Sequence, residues 1–203
     1  MPLITAPTVE EHRSRQHALL LETARQLLLE EGPGAVTPAT VGARAGLARS
    51  SVYNYFRSSA DIFAQLAQAA FARWDAQLRA AVAEQPTPEA QIRAYVRTML
   101  DLATGGEHVI GEILGTLDLP AECVESIEEA HSGLLDPLRA ALRELGDPDP
   151  ETAAALAYGV LDAAIRRIDS GVRSQEIAAA AITFLERGLG AEGAPLPSIP
   201  PER

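Results

Sequence analysis

The sequence predicts an all-α protein, and three observations support this fold class. Among the 203 residues, 47% are hydrophobic but only 4% are aromatic, so the core must consist mainly of aliphatic side chains. The alternating β-branched and aromatic runs that mark strands are nearly absent. Apolar residues recur instead at helical spacing between proline, glycine and capping residues, which predicts a succession of helices.

The first predicted helix begins near residues 9–11 and ends at Glu31. Its apolar positions, which fall on one face, are Leu20, Ala24, Leu27 and Leu28. The run Gly32-Pro33-Gly34 ends this helix. Thr37 then caps a short second helix, because its side-chain oxygen can accept a backbone N–H and Pro38 can occupy the first helical position without losing a hydrogen bond.

A turn at Gly46 joins the second helix to a third, which is predicted from Arg49 to about Phe56. Gly42 lies where the two short helices would cross, and its lack of a side chain permits a close approach. The apolar residues expected to lock these helices together are Val41, Ala45, Leu47 and Val52. Two short helices joined in this way form a helix-turn-helix, whose second helix can enter the major groove of DNA.

A long helix follows, and further helices fill the rest of the chain. Ser58–Asp61 forms a capping box at the start of the long helix, which ends before Pro86. The later helices are predicted over residues 88–103, 109–117, 120–145, 150–170 and 174–189. The third of these is expected to bend at Pro137, because proline cannot donate a backbone hydrogen bond.

These elements predict three parts of the chain. They are a helix-turn-helix domain over residues 9–61, a larger helical domain over residues 62–189 and a disordered tail over residues 190–203. No apolar run approaches the roughly 18 residues that span a bilayer, and the N-terminus lacks the basic and apolar segments of a signal peptide. We therefore expect a cytoplasmic protein with no membrane contact.

The net charge of −11 is unevenly distributed along the chain. Residues 1–60 carry six Arg and five Glu, whereas residues 61–203 carry eleven Arg and 23 acidic residues. Between Pro33 and Ala60 there is no acidic residue at all. Because charges beyond about 8–10 Å are largely screened in physiological salt, the local charge governs phosphate contact, and the acidic total does not exclude DNA binding.

The third predicted helix combines hydrogen-bonding and aromatic side chains. They are Arg49, Ser50, Ser51 and Asn54 at its N-terminal and outer face, followed by Tyr53, Tyr55 and the inward-facing Phe56. Arg can form two hydrogen bonds with guanine and Asn two with adenine, while tyrosine hydroxyls can donate to phosphate. An ordinary amphipathic surface helix is the alternative. The flanking helices and the missing acids favour DNA binding.

The run GLARSSVYNYFRSSADIF at residues 46–63 resembles the DNA-binding segment of the TetR (tetracycline repressor-like) family of transcriptional regulators. The resemblance covers residues 15–66. It implies phosphate contacts from Thr37, Ser51, Tyr53 and Tyr55, and base-edge contacts from Arg49, Ser50 and Asn54. It also implies that the helices behind this segment form a ligand pocket and a dimer interface.

Three positions depart from the family pattern. Ala48 stands where a capping Ser is common, so the recognition helix lacks a side-chain cap. Tyr55 replaces a frequent His, and Ser59 stands where a phosphate-binding Lys is common. Arg57 can supply the charge that this Lys would provide, and otherwise one phosphate contact is lost.

Seven residues of the larger domain are candidates for a ligand pocket. They are Trp74, Tyr95, Met99, His108, Cys123, His131 and Tyr158. The alternative is ordinary core packing, which aromatic and Met side chains at helical spacing more often serve. His108, Cys123 and His131 fit no established zinc spacing, so we expect no metal site. A single cysteine also excludes an internal disulfide.

The last two helices are rich in small residues with larger aliphatic residues between them, including Leu156, Ile165 and Leu185. This pattern fits internal packing, or an interface in which each subunit contributes two helices to a four-helix bundle. A two-fold dimer also suits a short recognition helix, because two copies about 34–36 Å apart, or a multiple of that, read a palindrome.

Taken together, the residues and the resemblance predict a repressor that binds a palindromic operator as a homodimer. A small-molecule effector in the C-terminal domain would release it, and no cofactor is expected. Two other classes stay open from the residues alone. One is an all-helical enzyme using His108, Cys123 or His131, although no base and nucleophile are paired at a recognisable spacing. The other is a helical adaptor that binds proteins through its acidic surface.

Overall fold

The computed structural model describes residues 6–104, 108–169 and 174–189, and each secondary-structure element in these ranges is helical. The α-helices are α1 (Ala6–Glu31), α2 (Pro38–Arg44), α3 (Arg49–Val52), α4 (Ser59–Ala83), α5 (Pro88–Thr104), α6 (His108–Gly115), α7 (Ala121–Gly133), α8 (Asp136–Leu145), α9 (Pro150–Asp169) and α10 (Ser174–Leu189). A 3₁₀ turn, Pro33–Ala35, follows α1. The predicted all-α fold class is confirmed. The predicted tail, residues 190–203, lies outside the described residues.

The helices group into two compact units. The first contains α1, α2, α3, α6, α7 and the part of α4 up to Asp75, and the second contains α4 from Ala76, α5, α8, α9 and α10. The predicted helix-turn-helix domain, residues 9–61, falls within the first unit. Its boundary with the rest of the chain at residue 61 stays a prediction. None of the described helices is both long and apolar enough to cross a lipid bilayer.

The core of the first unit forms around the apolar face of α1. The predicted residues of that face, Leu20, Ala24, Leu27 and Leu28, are buried together with Val41, Val52, Phe56, Ile62, Phe63 and Leu66. α6 adds Ile110 and Leu114 to the same cluster. Burying a large aliphatic or aromatic side chain contributes roughly 1.5–3 kcal/mol, so this cluster fixes the two short helices that could not be stable alone.

Capping residues define the helix-turn-helix as the sequence predicts. The Thr37 hydroxyl accepts from the Thr40 backbone N–H at 3.1 Å, and the Thr40 hydroxyl accepts from the Thr37 N–H at 3.0 Å. This reciprocal pair is a capping box, with Pro38 in the first turn. Gly46 has φ +72°, a left-handed conformation that a side chain would strain, and so it ends the turn after α2.

The crossing of α2 and α3 requires Gly42. A Cβ atom at this position would lie 2.6 Å from Cγ2 of Val52 and 3.4 Å from the carbonyl oxygen of Leu47. The first distance is far below van der Waals contact, so any side chain would push the two helices apart. The close approach offsets the helix propensity that glycine loses, which is about 1 kcal/mol.

Two predicted helices differ from the structure. The single bent helix predicted over residues 120–145 is wrong, because α7 ends at Gly133 and α8 begins at Asp136. Pro137 lies in the first turn of α8, where its missing N–H costs nothing, whereas inside a helix its ring would clash with the carbonyl of residue 133. The third helix is also shorter than predicted. After Val52 the backbone tightens into turns, in which the Tyr55 N–H donates to the Val52 carbonyl.

The second unit is a layered helical bundle. α5 packs against α8, α9 and α10, and α9 packs against both α8 and α10. Its buried residues include Ile92, Val96, Leu138, Leu142, Ala157, Leu161 and Leu185. α8 ends at Gly146, whose φ of +87° is again left-handed. The buried residues of this unit are thus mainly aliphatic, as the composition predicts.

Candidate nucleic-acid interface

The helix α3 and the turn after it have a buried side and an exposed side. Val52 and Phe56 are fully buried, as predicted for Phe56. The exposed side carries Arg49, Ser50, Tyr53 and Asn54, which we call the recognition surface. The core thus fixes the backbone while leaving hydrogen-bonding side chains in solvent, as the reading of base edges requires.

Arg49 and Tyr53 contact each other on the recognition surface. Nη2 of Arg49 donates to the Tyr53 hydroxyl at 3.2 Å, and the guanidinium carbon lies 5.6 Å from the centroid of the Tyr53 ring. Tyr53 is 45% exposed. A cation–π contact of this kind contributes about 0.5–1 kcal/mol at an exposed site, so it holds the guanidinium in place without burying it.

The arginines of the acid-free segment have different partners. Nη1 and Nη2 of Arg44 lie 2.7 Å from carboxylate oxygens of Glu30 and Glu31 at the end of α1. Nε of Arg57 lies 3.5 Å from Oδ2 of Asp61. Among the described residues, Arg49 has no carboxylate partner. It is therefore the cation of this segment whose full charge faces solvent.

Tyr55 is half-buried, and its hydroxyl is used within the protein. It donates to Oε1 of Gln16 on α1 at 2.9 Å, and its ring stacks on His17 with centroids 5.9 Å apart. The guanidinium carbon of Arg13 lies 6.0 Å from the same ring. The sequence places Tyr55 on the outer face, whereas the structure engages it with α1. Its phosphate contact stays a prediction.

The remaining predicted DNA contacts lie at helix N-termini. Thr37 is half-buried at the start of α2, and Ser51 is half-buried in α3. Ala48 provides no side-chain cap for α3, as predicted. Because the first N–H groups of a helix have no intrahelical partners, both N-termini can donate to phosphate oxygens. Their contact with DNA stays a prediction.

The start of α4 is held by hydrogen bonds to the residues that precede it. Oγ of Ser58 accepts from the Asp61 N–H at 3.1 Å, which is one half of the predicted capping box. The other half differs, because the Asp61 carboxylate bonds the backbone of Arg57. Oδ2 of Asp61 accepts from the Arg57 N–H at 2.8 Å. Partial burial opposes ionisation of Asp61. The hydrogen bonds from Arg57 and Gln65 and the Arg57 charge outweigh that burial, so the pKa of Asp61 is lowered.

Four residues around Tyr55 were missed by the sequence reasoning. They are Arg13, Gln16 and His17 on α1 and Gln65 on α4. The helical period places these residues on a face of α1 or α4, but it does not show which neighbouring segment they meet. Polar residues on long helices are usually solvated, so no sequence signal distinguished these four.

The first unit contains three of the predicted pocket residues. Trp74 is mostly buried and meets Phe71 edge-on, with ring centroids 6.5 Å apart, and Phe71 lies 5.3 Å from the ring of His131. Cys123 is half-buried elsewhere in the unit. Burial and the negative charges of Glu122 and Asp61 raise the pKa of the Cys123 thiol, which keeps it protonated.

The second unit contains three more of these residues. Tyr95 and Met99 on α5 are fully buried, and Tyr158 on α9 is half-buried. Burial raises the pKa of both tyrosine hydroxyls. The side chain of His108 lies outside the described residues. In the part of the chain that is described, no three His, Cys, Asp or Glu side chains lie close enough to hold a metal ion. Ligand contact by these residues stays a prediction.

The second unit also exposes an apolar face on its last two helices. Leu156 on α9 is 68% exposed and Phe184 on α10 is 65% exposed. Around Phe184 lies an open depression lined by Ala179, Ala180, Thr183, Arg187 and Gly188. We call this face, with Leu156 and Phe184, the α9–α10 surface. Leu161 and Leu185 from the same helices are buried, so part of the predicted interface pattern serves internal packing.

The first unit contains a helix-turn-helix, the arrangement of many DNA-binding domains. Residues 20–66 match the model of the bacterial regulatory proteins of the tetR family. This match covers the N-terminal segment of the chain, and the resemblance seen in the sequence there is confirmed. No curated relative matches the sequence.

Solved structures with the same fold cover nearly the whole chain. FadR from Bacillus halodurans, a fatty acid degradation regulator, is 21% identical with a TM-score of 0.71, over 86% of this chain and 96% of that one. A TetR/AcrR regulator from Thermobifida fusca is 18% identical with a TM-score of 0.72, over 86% and 98%. FadR from Bacillus subtilis, in complex with stearoyl-CoA, is 17% identical with a TM-score of 0.71, over 85% and 98%. At these identities the likeness shows a shared fold.

Proposed function

We propose that the protein is a transcriptional repressor that binds a palindromic operator as a homodimer and leaves it when a small molecule binds. The observation that carries the proposal is the recognition surface. There, a guanidinium with no carboxylate partner among the described residues stands in solvent with an amide and hydroxyls, on a helix and turn whose inner side is fixed in the core. This proposal places the protein in the cytoplasm with the DNA.

Each exposed group has a role in this proposal. Arg49, held by Tyr53, reads guanine in the major groove, and Asn54 reads adenine. Ser50 reaches a base edge at the N-terminal end of α3. Tyr53 and Ser51, together with Thr37 at the start of α2, donate to phosphate oxygens and fix the register on the duplex. Phosphate contacts give affinity for any sequence, whereas Arg49, Ser50 and Asn54 supply the discrimination.

We propose that the α9–α10 surface forms the dimer interface. It is apolar, and it presents small residues along one helix face, beside which a neighbouring helix can pack closely. In a two-fold dimer the same surface meets itself, so each subunit contributes two helices to a four-helix contact. Dimerisation places two recognition helices on one duplex, which allows a palindrome to be read.

The effector is proposed to act through α4. This helix begins beside α3 and carries Phe71 and Trp74, which meet His131 in the first unit. A ligand that favours another tilt of α4 would change the spacing of the two recognition helices. Such a ligand acts only through its different affinity for the two states, typically about 1–3 kcal/mol of coupling.

Long-chain acyl-CoA is the first effector class to test. Two proteins of the same fold are FadR regulators, and one of them was solved with stearoyl-CoA. Trp74 is the only tryptophan of this chain, so its emission reports on its surroundings alone. Stearoyl-CoA should shift this emission and dissociate operator DNA at the same concentrations, whereas CoA alone should do neither. If stearoyl-CoA leaves both signals unchanged, this effector class is excluded.

The DNA-binding proposal is tested by selecting bound fragments from a random DNA pool with the full chain. We expect a palindrome to emerge, with half-sites one helical turn or a multiple apart. Anisotropy at two salt concentrations then measures the phosphate contribution, because counterion release makes affinity fall steeply with salt. Absence of any enriched sequence, together with a flat salt dependence, would contradict the proposal and favour a protein-binding adaptor.

A further inference from the structure

A cluster of polar side chains holds the chain where it leaves α3. The cluster consists of Gln16 and His17 on α1, Tyr55 after α3, and Asp61 and Gln65 on α4. All of these residues belong to the first unit. None of them is an exposed residue of the recognition surface, yet Tyr55 lies two residues after Tyr53. Through Tyr55 the cluster therefore adjoins, along the chain, the groups proposed to contact DNA.

Gln65 is the centre of the cluster, because both the nitrogen and the oxygen of its amide form hydrogen bonds. The amide nitrogen donates to the carbonyl oxygen of Tyr55 at 3.2 Å and to Oδ1 of Asp61 at 3.0 Å. Both of its hydrogens are then committed, so the amide oxygen faces His17 and accepts from Nε2 at 2.6 Å. One side chain thus joins three segments of the unit.

The Tyr55 carbonyl needs such a partner. Tyr55 lies in the turn after α3, so its carbonyl does not receive the hydrogen bond that a continuing helix would provide. Gln65 supplies a donor to this carbonyl from α4, while the Tyr55 hydroxyl is held by Gln16 from α1. Tyr55 is therefore fixed at both its backbone and its side chain.

We propose that Gln65 is a positioning residue for DNA recognition. It fixes the angle of the recognition surface against α1 and α4, and so it sets how well the protein distinguishes its operator from other DNA. It acts through Tyr55 and touches no DNA. The inference rests on the proposed DNA-binding function. At 3.2 Å the bond to the Tyr55 carbonyl is already near the upper limit of hydrogen-bond length, so a displacement of about 0.5 Å between α4 and this carbonyl would break it.

The test compares Gln65→Met and Gln65→Glu in the full chain. Gln65→Met keeps the length of the side chain and removes its hydrogen bonds. Gln65→Glu keeps the shape but has only acceptors, and it places a carboxylate against the Tyr55 carbonyl and Asp61. If Gln65 acts only by packing, Gln65→Glu should lose less sequence discrimination than Gln65→Met, because Glu is nearly isosteric with Gln. If Gln65 positions the chain through its amide N–H groups, Gln65→Glu should lose more discrimination than Gln65→Met.

The measured quantity is the ratio of operator affinity to affinity for random-sequence DNA. For Gln65→Met we expect operator affinity to fall about tenfold, as the loss of its hydrogen bonds implies. Random-sequence affinity should change by less than about twofold, because phosphate contacts tolerate a change of angle. A smaller folded fraction would lower both affinities equally and leave the ratio unchanged.

Gln68→Met is the matched control. Gln68 lies on α4 three residues after Gln65, and its amide bonds Ser126 on α7 rather than the chain after α3. We expect it to keep the wild-type ratio. Hydrogen exchange in the free protein adds a second measurement, in which the Tyr55 and Phe56 amides should exchange faster in Gln65→Met than in Gln68→Met.

The outcomes separate the two proposals. If the wild-type chain selects no DNA sequence, the DNA-binding function fails and this inference fails with it. If the wild-type chain selects an operator and Gln65→Met keeps its ratio and its exchange rates, only the positioning role is overturned. A smaller loss of the ratio for Gln65→Glu than for Gln65→Met would also overturn it.

Discussion

This protein has two surfaces whose exposed side chains take no part in core packing, and the two surfaces differ in chemistry. The recognition surface is polar, lies on one short helix and the turn after it, and depends on single residues such as Arg49 and Asn54. The α9–α10 surface is apolar, spans two long helices and repeats small residues around Leu156 and Phe184. The first can distinguish sequences, whereas the second can supply binding energy. A dimeric DNA reader needs both properties.

The largest effect is expected from the α9–α10 surface. Phe184→Asp would bury a carboxylate at the proposed interface, and by symmetry it would do so twice in each dimer. We expect a monomer by light scattering and an operator affinity at least about 100-fold weaker, because one recognition helix reads only a half-site.

Val124→Asp is the control for the dimer prediction. Val124 is an exposed apolar residue on α7 in the first unit, whereas the α9–α10 surface belongs to the second. This variant should keep the mass and operator affinity of the wild-type chain. If Phe184→Asp also keeps the mass and operator affinity of the wild-type chain, the α9–α10 surface is not the dimer interface.

The next effect concerns single residues of the recognition surface. Arg49→Ala should relax the preference at one base pair of each half-site by about 1–3 kcal/mol, the range for a bidentate base contact. Binding to a panel of operators with single base changes measures this preference. Arg44→Ala is matched to it, since both remove one arginine from the acid-free segment, but Arg44 is already paired with Glu30 and Glu31. Equal loss of preference in both variants would contradict base reading by Arg49.

A third prediction concerns the scaffold of the recognition surface. Gly42→Ala should lower the free energy of unfolding by about 1–3 kcal/mol in urea, because its Cβ would meet Val52 at 2.6 Å. Gly34→Ala is the control, since no atom lies within 4 Å of its added Cβ. That variant should change the free energy by less than about 1 kcal/mol. If the two variants have equal stability, the close crossing is not required.

The two surfaces also differ in how far the sequence predicted them. Thr37, Gly42 and Gly46 have roles that few residue types can fill, so the helix-turn-helix and its exposed residues could be predicted. The α9–α10 surface could not be separated from core, because Leu156 and Leu161 follow the same helical pattern. Their opposite exposure depends on how α5 and α8 cover α9.

Other features depend on contacts between distant residues. The neutralisation of Arg44 by Glu30 and Glu31 and the bonds of Tyr55 to two helices join segments that sequence spacing does not relate. The division of the predicted helix at Pro137 is a similar case. Proline permits either a bent helix or the start of a new one, and sequence spacing does not show which of the two forms.

The smallest effect is expected from the tyrosine hydroxyls, which the sequence reasoning treated alike. Tyr53→Phe removes the exposed hydroxyl and the hydrogen bond that it accepts from Arg49, but it keeps the ring against the guanidinium. All DNA sequences should therefore bind about two- to fivefold more weakly, with little change in preference. Tyr55→Phe removes the bond to Gln16, and we expect it to lower the free energy of unfolding by about 1 kcal/mol. Anisotropy on operator and random-sequence DNA, with urea unfolding, separates these outcomes. If Tyr55→Phe instead leaves stability unchanged and weakens all DNA binding equally, Tyr55 contacts phosphate as the family resemblance implies.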